Sequence, residues 1–249
     1  MSLDRRRLLA SGVSLAGLAL TGCDRMEQNP NVVRPLSVAE DLNRGVQRLL
    51  GPRVLAREFS RADITPDFRA NGTIDPPDAD YKALVATNFA GWTLTVDGLV
   101  QRPLALTLDE IRALPARTQI TRHDCVEGWS CIGEWAGARM GPLMAMAGLE
   151  PEARYIVLHC ADTLGGARYY ETLDRVDVDH PQTILAYDMN GAPLTVAHGA
   201  PLRLRAERYL GYKQAKYVMR LEAVASFAHI GGGHGGYWED QGYDRYAGI

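Results

Sequence analysis

The chain is short of the residues that stabilise or identify most exported and nucleic-acid-binding folds. It holds four cysteines in 249 residues. Once Cys23, close to the N-terminus, is set aside, Cys125, Cys131 and Cys160 remain, an odd set that cannot all be joined in disulfides. Charge of one sign is also missing: 27 Lys and Arg stand against 30 Asp and Glu, for a net −3, with no basic block. That excludes the electrostatic footprint that nucleic-acid binding requires. No apolar run reaches the roughly 20 residues of a membrane-spanning helix. There is no haem motif, flavin fingerprint or iron–sulfur cysteine set, so redox chemistry would need another cofactor and an outside electron carrier.

What is present begins with an address. Asp4-Arg5-Arg6-Arg7-Leu8-Leu9 opens a short apolar run that ends at Leu20-Thr21-Gly22-Cys23, and this resembles a twin-arginine export signal with a lipobox. The expectation is a signal peptide over residues 1–22, lipidation of Cys23 and a tether over 23–36. Asp24 after the lipidated cysteine implies retention on the inner membrane, facing the periplasm. Export of an already folded chain favours an enzyme loaded with a cofactor before it leaves the cytoplasm.

Beyond the tether, residues 37–228 have the length of one catalytic domain. Ser37-Val38-Ala39-Glu40 reads as a capping box that opens a helix with Val38, Leu42, Val46 and Leu49 on one stripe. Residues 53–91, rich in Pro, Asp and Asn, read as irregular chain of the kind that wraps a ligand. Trp92 to Val96 alternates as a strand into Asp97-Gly98, and Thr107-Leu108-Asp109-Glu110 caps a short helix that stops before Pro115. Strands are expected at 117–125, 154–160, 201–205 and 216–221, with an apolar helix over 141–149. With no βαβ rhythm, the fold class is α+β with mixed, β-rich sheets. The stretch 229–249 combines glycines, His229, His234 and aromatics, and reads equally as a lid or docking surface or as a tail packed on the domain.

Cys125 sits where a strand meets the Glu127-Gly128 turn, in Arg122-His123-Asp124-Cys125-Val126-Glu127-Gly128-Trp129-Ser130. A thiolate at a strand end can ligate a soft or redox-active metal. Downstream, His198-Gly199-Ala200-Pro201-Leu202-Arg203 and Gly211-Tyr212-Lys213 offer cations and backbone donors suited to a phosphate. Other arrangements compete. Cys131 could pair with Cys125 or Cys160 in a disulfide, or His123, Cys125, Cys131 and His159 could hold zinc, though without paired CxxC spacing. Cys160 could equally be an inert core thiol.

Taken together and in order, these segments resemble the sulfite-oxidase-fold molybdopterin-dependent oxidoreductases, in particular the bacterial periplasmic branch that contains methionine sulfoxide reductase catalytic subunits. The resemblance runs from about Asn88 to Phe227. It is carried by Cys125-Val126-Glu127-Gly128-Trp129-Ser130, Leu185-Ala186-Tyr187-Asp188-Met189-Asn190-Gly191 and His198-Gly199-Ala200-Pro201. It implies Mo-molybdopterin as cofactor, with Cys125 the molybdenum ligand and catalytic centre. Asn88, Cys160, His198, Arg203, Gly211, Tyr212 and Lys213 would hold the pterin and its phosphate. It also implies two-electron oxygen-atom transfer between Mo(VI) and Mo(IV), a membrane b-type cytochrome as electron partner, and a monomer. Two departures bear on substrate and binding. Sulfite oxidases follow the ligand cysteine with an Asn-Arg-Arg run, where this chain has Trp129 and Ser130, so a neutral sulfoxide-like or other oxo substrate fits better than sulfite. The branch's Tyr-Glu pair after the asparagine is replaced by Ala90, Gly91 and Trp92. Arg122, His123 and Arg168 are the remaining candidates for charge near a substrate. The competing readings are a sulfite-oxidising enzyme of the same fold and a non-catalytic, disulfide- or zinc-stabilised envelope lipoprotein.

Overall fold

A computed structural model describes residues 54–246, with Val38, Leu42, Gly45 and Leu49 as isolated positions before them. The chain divides into two units, Met1–Gly51 and Pro52–Ile249. In the first, Val38, Leu42 and Leu49 are helical and exposed. The signal segment, Cys23, the tether, the remainder of the Ser37-to-Glu40 box and Val46 lie outside the described residues.

The second unit carries two sheets. One has the order β2–β1–β10–β5–β6, built from β1 (Thr93–Gly98), β2 (Leu104–Thr107), β5 (Tyr155–Leu164), β6 (Ala167–Asp174) and β10 (Val218–Val224). Only β1 and β10 run parallel, so the sheet is mixed. The other has the order β3–β4–β7–β8, from β3 (Ala116–Cys125), β4 (Trp129–Arg139), β7 (Ile184–Met189) and β8 (Ala192–Pro193), with β9 (Arg203–Arg205) also paired to β7.

Burial explains the strand sequences. On β5, Ile156 and Leu158 enter the main core while Val157 packs on the opposite face against Tyr170, Val224 and Ile230. A strand covered on both sides reads as a continuous apolar run, as this one does. Strand β3 differs: Gln119, Thr121 and His123 are its buried row. A buried polar side chain without a partner costs about 1–3 kcal/mol, so a polar inward row marks a strand built to face something other than the core.

Helices are few and short. The helix α2 (Leu108–Arg112) starts with the expected box: Glu110 N–H donates to Thr107 Oγ1, and Thr107 N–H donates to Glu110 at 2.8 Å. In α3 (Met140–Ala147), Met140, Leu143, Met144 and Ala147 are buried at helical spacing, and Gly148 at φ 72° ends it. The irregular reading of 53–91 is corrected by α1 (Ala79–Ala86), capped by Asp78. Only Tyr81 of that helix is buried, which leaves no apolar period to see in the sequence. Its hydroxyl donates to Ala200 O at 2.6 Å. The 229–246 stretch packs on the domain: Tyr237 stacks on Tyr169, Ile230 joins the Val157 cluster, and Tyr212 Oη donates to Asp244 O.

Candidate functional site

The site grows from the β3–β4 hairpin. Cys125 faces Trp129 and His123 faces Cys131 across the strands, and Gly128, at φ 84°, closes the turn by donating to Cys125 O at 3.1 Å. Cys125 is half-buried and free. Burial pushes its thiol up, opposed by the Glu127 backbone N–H and by the Arg69 charge. Deeper on the same face, His123 Nδ1 accepts from Arg205 Nη1 at 2.9 Å. Arg205 grips Glu207 through Nε at 2.9 Å and Nη2 at 2.5 Å, and Gln119 also donates to Glu207 at 2.8 Å. All four side chains are buried. Burial, then Arg205 and Arg203, push the His123 pKa well down, so the ring is neutral.

Strand β9 brings a second arginine that is treated differently. Arg203 and Arg205 both lie over the Trp135 ring, at 4.8 and 4.4 Å. Arg205 is neutralised by Glu207, whereas Arg203 donates through Nη1 to His198 O at 3.0 Å and keeps buried Nε and Nη2 without a partner. Its pKa is pushed down to about 9 by burial and then by Arg205. Lys216 is nearly as deep, at 7% exposure. It donates to Asn71 O at 2.7 Å, Ala197 O at 3.0 Å and Thr73 O. Burial and then Arg203 push it down to about 7, against the pull of Asp162.

Gly199 makes the convergence possible. At φ 103°, a Cβ there would stand 2.9 Å from Lys216 Cβ and 3.2 Å from Arg203 Cβ. Among the described residues no ion pair joins Arg203 or Lys216 to a carboxylate. Burying charge without an ion-paired partner is expensive, and Arg203, with Nε and Nη2 unpartnered and Asp162 acting only on Lys216 from beyond ion-pair distance, leaves a place for an anion. A cavity of 90 Å³ is lined by Asn71, Thr73, Asp162, Tyr169, Gln214 and Lys216, so the Asp162 carboxylate shares it with the lysine.

The other residues expected from the sequence are placed as follows. His198 Nε2 meets Phe68 O at 3.2 Å and Nδ1 meets Thr195 Oγ1 at 2.9 Å. A carbonyl only accepts, so Nε2 carries the proton. Gly211 lies against His123, where a Cβ would be 2.7 Å from Nε2. Tyr212 turns its hydroxyl to the tail. Lys213 is corrected as an anion ligand: its Nζ is buried between Glu171 and Glu239 and already neutralised. Cys160 is buried in the main core, its thiol pushed well up by that burial. Asn88 is exposed just past α1 at φ 50°.

In place of Asn88 the irregular segment supplies Phe68 and Arg69. Phe68 packs edge-on to Trp135 and near His123 and His198. The Arg69 guanidinium stands 5.3 Å over the Trp129 ring. It lines an open groove of 690 Å³ with Phe68, Met189, Asn190, Thr195 and His198. The other expected cations are spent: Arg122 on Asp124 and Arg168 on Asp78. Sequence reasoning missed Phe68, Arg69, Arg205, Glu207 and Lys216 as site residues. Nothing local separates Lys216 from Lys213, since neither has an acidic neighbour within four residues. The disulfide and zinc arrangements do not form: Cys125, Cys131 and Cys160 are free, and no group of three or more His, Cys, Asp or Glu is placed to hold a metal among the described residues.

Comparison with known proteins gives the family. Residues 82–229 match the model of the oxidoreductase molybdopterin binding domain family. The chain is 37% identical, over 98% of its length and 87% of the relative's, to a protein of Azospira oryzae provisionally named protein-methionine-sulfoxide reductase subunit YedZ1. It is 32% identical, over 89% of its length and 70% of the relative's, to the protein-methionine-sulfoxide reductase catalytic subunit MsrP of Xanthomonas campestris. The sulfane dehydrogenase SoxCD structure from Paracoccus pantotrophus superposes with TM-score 0.50 at 24% identity, covering 54% of this chain and 38% of that one, a likeness of fold.

Proposed function

This chain belongs to the oxidoreductase molybdopterin binding domain family and is a molybdenum-dependent oxidoreductase; on that premise we propose that it withdraws an oxygen atom from a sulfoxide-type substrate. One observation carries the reading: Arg203 is a buried cation with two unpartnered donors and no ion-paired carboxylate, on strand β9 of the same sheet whose β3–β4 hairpin carries Cys125. A phosphate-bearing pterin supplies the missing charge. The donor set fits it at Arg203, whose Nε and Nη2 are orphaned donors, while Lys216 adds only its charge, its three N–H groups being given to Asn71 O, Thr73 O and Ala197 O. Cys125 would hold the metal, Arg203 and Lys216 the phosphate, and His198 and Gly211 would form the wall between.

When bound, the cofactor supplies two-electron oxygen-atom transfer with molybdenum cycling between Mo(VI) and Mo(IV). The protein's part is to bind, orient and limit access to water. The Arg205–Glu207 pair fixes the inner end of the site, and Phe68 closes it against Trp135. Arg69, unpaired among the described residues, is the cation available to an oxo group on the open side of Cys125. The sulfoxide class draws support from the names of the two relatives. Sulfite oxidation is the second reading, because Arg69 restores one positive charge where the sequence appeared to lack it.

The proposed site of action is the periplasm, with the chain held to the inner membrane through a lipidated Cys23; the resemblance of residues 4–23 to a twin-arginine signal with a lipobox supports this. A membrane b-type cytochrome is the electron partner, and the anchor raises its effective concentration. The domain acts as a monomer. The test is metal analysis of protein from a molybdenum-competent host: about one molybdenum per chain with releasable pterin, lost in Cys125→Ser. Cofactor-free wild-type protein sinks the reading. Oxidation of a reduced dye by methionine sulfoxide supports the sulfoxide class; dye reduction by sulfite alone moves the assignment to the second reading.

A further inference from the structure

His123 belongs to no part of the machinery assigned so far. It is 1% exposed, and its two ring nitrogens are in opposite situations. Nδ1 accepts from Arg205 Nη1 at 2.9 Å, and an arginine can only donate. The ring is therefore held as the tautomer with its proton on Nε2. The lock is rigid, because Arg205 and Glu207 are both fully buried and joined by two hydrogen bonds. Nε2–H, by contrast, is buried and has no partner. A buried donor left unpaired is costly and rare in a native fold. It also faces a deliberate gap, since Gly211 is the residue across from it and a side chain there would lie 2.7 Å from Nε2.

Two strand positions separate His123 from Cys125, on the same face of β3. We propose that His123 is a binding residue for the cofactor, presenting a fixed, neutral Nε2–H donor to an acceptor atom of the bound pterin, with Arg205 and Glu207 as its positioning residues. The inference rests on the molybdopterin reading above. It explains why an arginine–glutamate pair is buried in a site that already holds Arg203 with unpartnered donors: its work is to choose the tautomer. Electrostatics suit the role, because a neutral donor adds no further charge beside Arg203.

The experiment compares loaded wild type with His123→Leu and His123→Gln. Glutamine can place an N–H near the Nε2 position; leucine cannot. Pterin release after dilution into mild urea is followed by fluorescence, and the Mo(V) EPR spectrum is recorded on each protein. His123→Leu is expected to release the pterin about 10- to 100-fold faster, the worth of a buried hydrogen bond. His123→Gln is expected to stay near wild type, and the EPR spectrum is expected to change in the leucine variant only. A folded His123→Leu with wild-type release and spectrum overturns the proposal, as does a glutamine variant that behaves like leucine. Should His123→Leu fail to fold, Gly211→Ala carries the test, since a Cβ there would stand 2.7 Å from Nε2 and 2.9 Å from Cε1 and must displace the ring edge that bears the donor; wild-type release from that variant overturns the proposal. If the wild type itself holds no molybdenum, it is the functional reading that fails.

Discussion

Replacing Lys216 by methionine should change sign with pH in cofactor-free protein. The lysine pKa falls from 10.5 to about 7 in the fold. At about 1.4 kcal/mol per tenfold change in proton affinity, charging this buried amine costs roughly 5 kcal/mol of stability. Because the folded pKa is depressed in a base, the unfolded chain binds the extra proton between pH 7 and 10.5. Stability of the wild type therefore rises with pH across that window, and the cost is fully present below pH 7. Methionine removes that cost but strips donors from Asn71 O, Thr73 O and Ala197 O, at about 1 kcal/mol each. The expected balance is a variant more stable than wild type by about 2 kcal/mol at pH 6 and less stable by about 2 kcal/mol at pH 10. Urea unfolding of both proteins, made without molybdopterin, reads the difference directly. In a molybdenum-competent host the same variant should lose its pterin despite being the more stable fold at pH 6. A variant equally destabilised at both pH values would refute the view of Lys216 as a buried cation that Asp162 only partly offsets.

Three other substitutions separate the parts of the site. Lys213→Met strands Glu171 and Glu239 as buried carboxylates and should cost about 3–5 kcal/mol, with faster hydrogen exchange over residues 230–246; unchanged exchange there would show that the triad does not hold the tail. Gly199→Ala meets both a left-handed φ of 103° and the Lys216 side chain at 2.9 Å. It should destabilise by about 1–3 kcal/mol and lower pterin content, read by thermal unfolding and by released pterin fluorescence. Arg69→Gln, on an exposed residue, should leave the unfolding midpoint within about 0.5 kcal/mol of wild type. It should still raise KM for an oxo substrate severalfold; an unchanged KM would remove Arg69 from the substrate side.

Much of the fold was legible because its signals are local. The Thr107–Glu110 box, the Met140–Ala147 stripe ending at Gly148, and the apolar run of β5 each follow from near neighbours in the chain. The helix Ala79–Ala86 was not legible, since a single buried residue, Tyr81, gives no period. In the site, the strand-end position of Cys125 and the cation at Arg203 could be read. The choice between Lys213 and Lys216 could not, because it depends on Glu171 and Glu239, 42 and 26 residues away from Lys213. Likewise Phe68 and Arg69 reach the site from a segment with no pattern of its own.

By itself the sequence determined the α+β class, the thiol at a strand end and the order of the segments that resemble the family's, all properties of residue types at short spacing. Only the tertiary structure decided which cations are already neutralised and which are left for a ligand. Charge compensation is a matter of distance through space: Glu207 quenches Arg205 and two glutamates quench Lys213, while Arg203 and Lys216, brought together by the bare backbone of Gly199, are ion-paired to no carboxylate among the described residues.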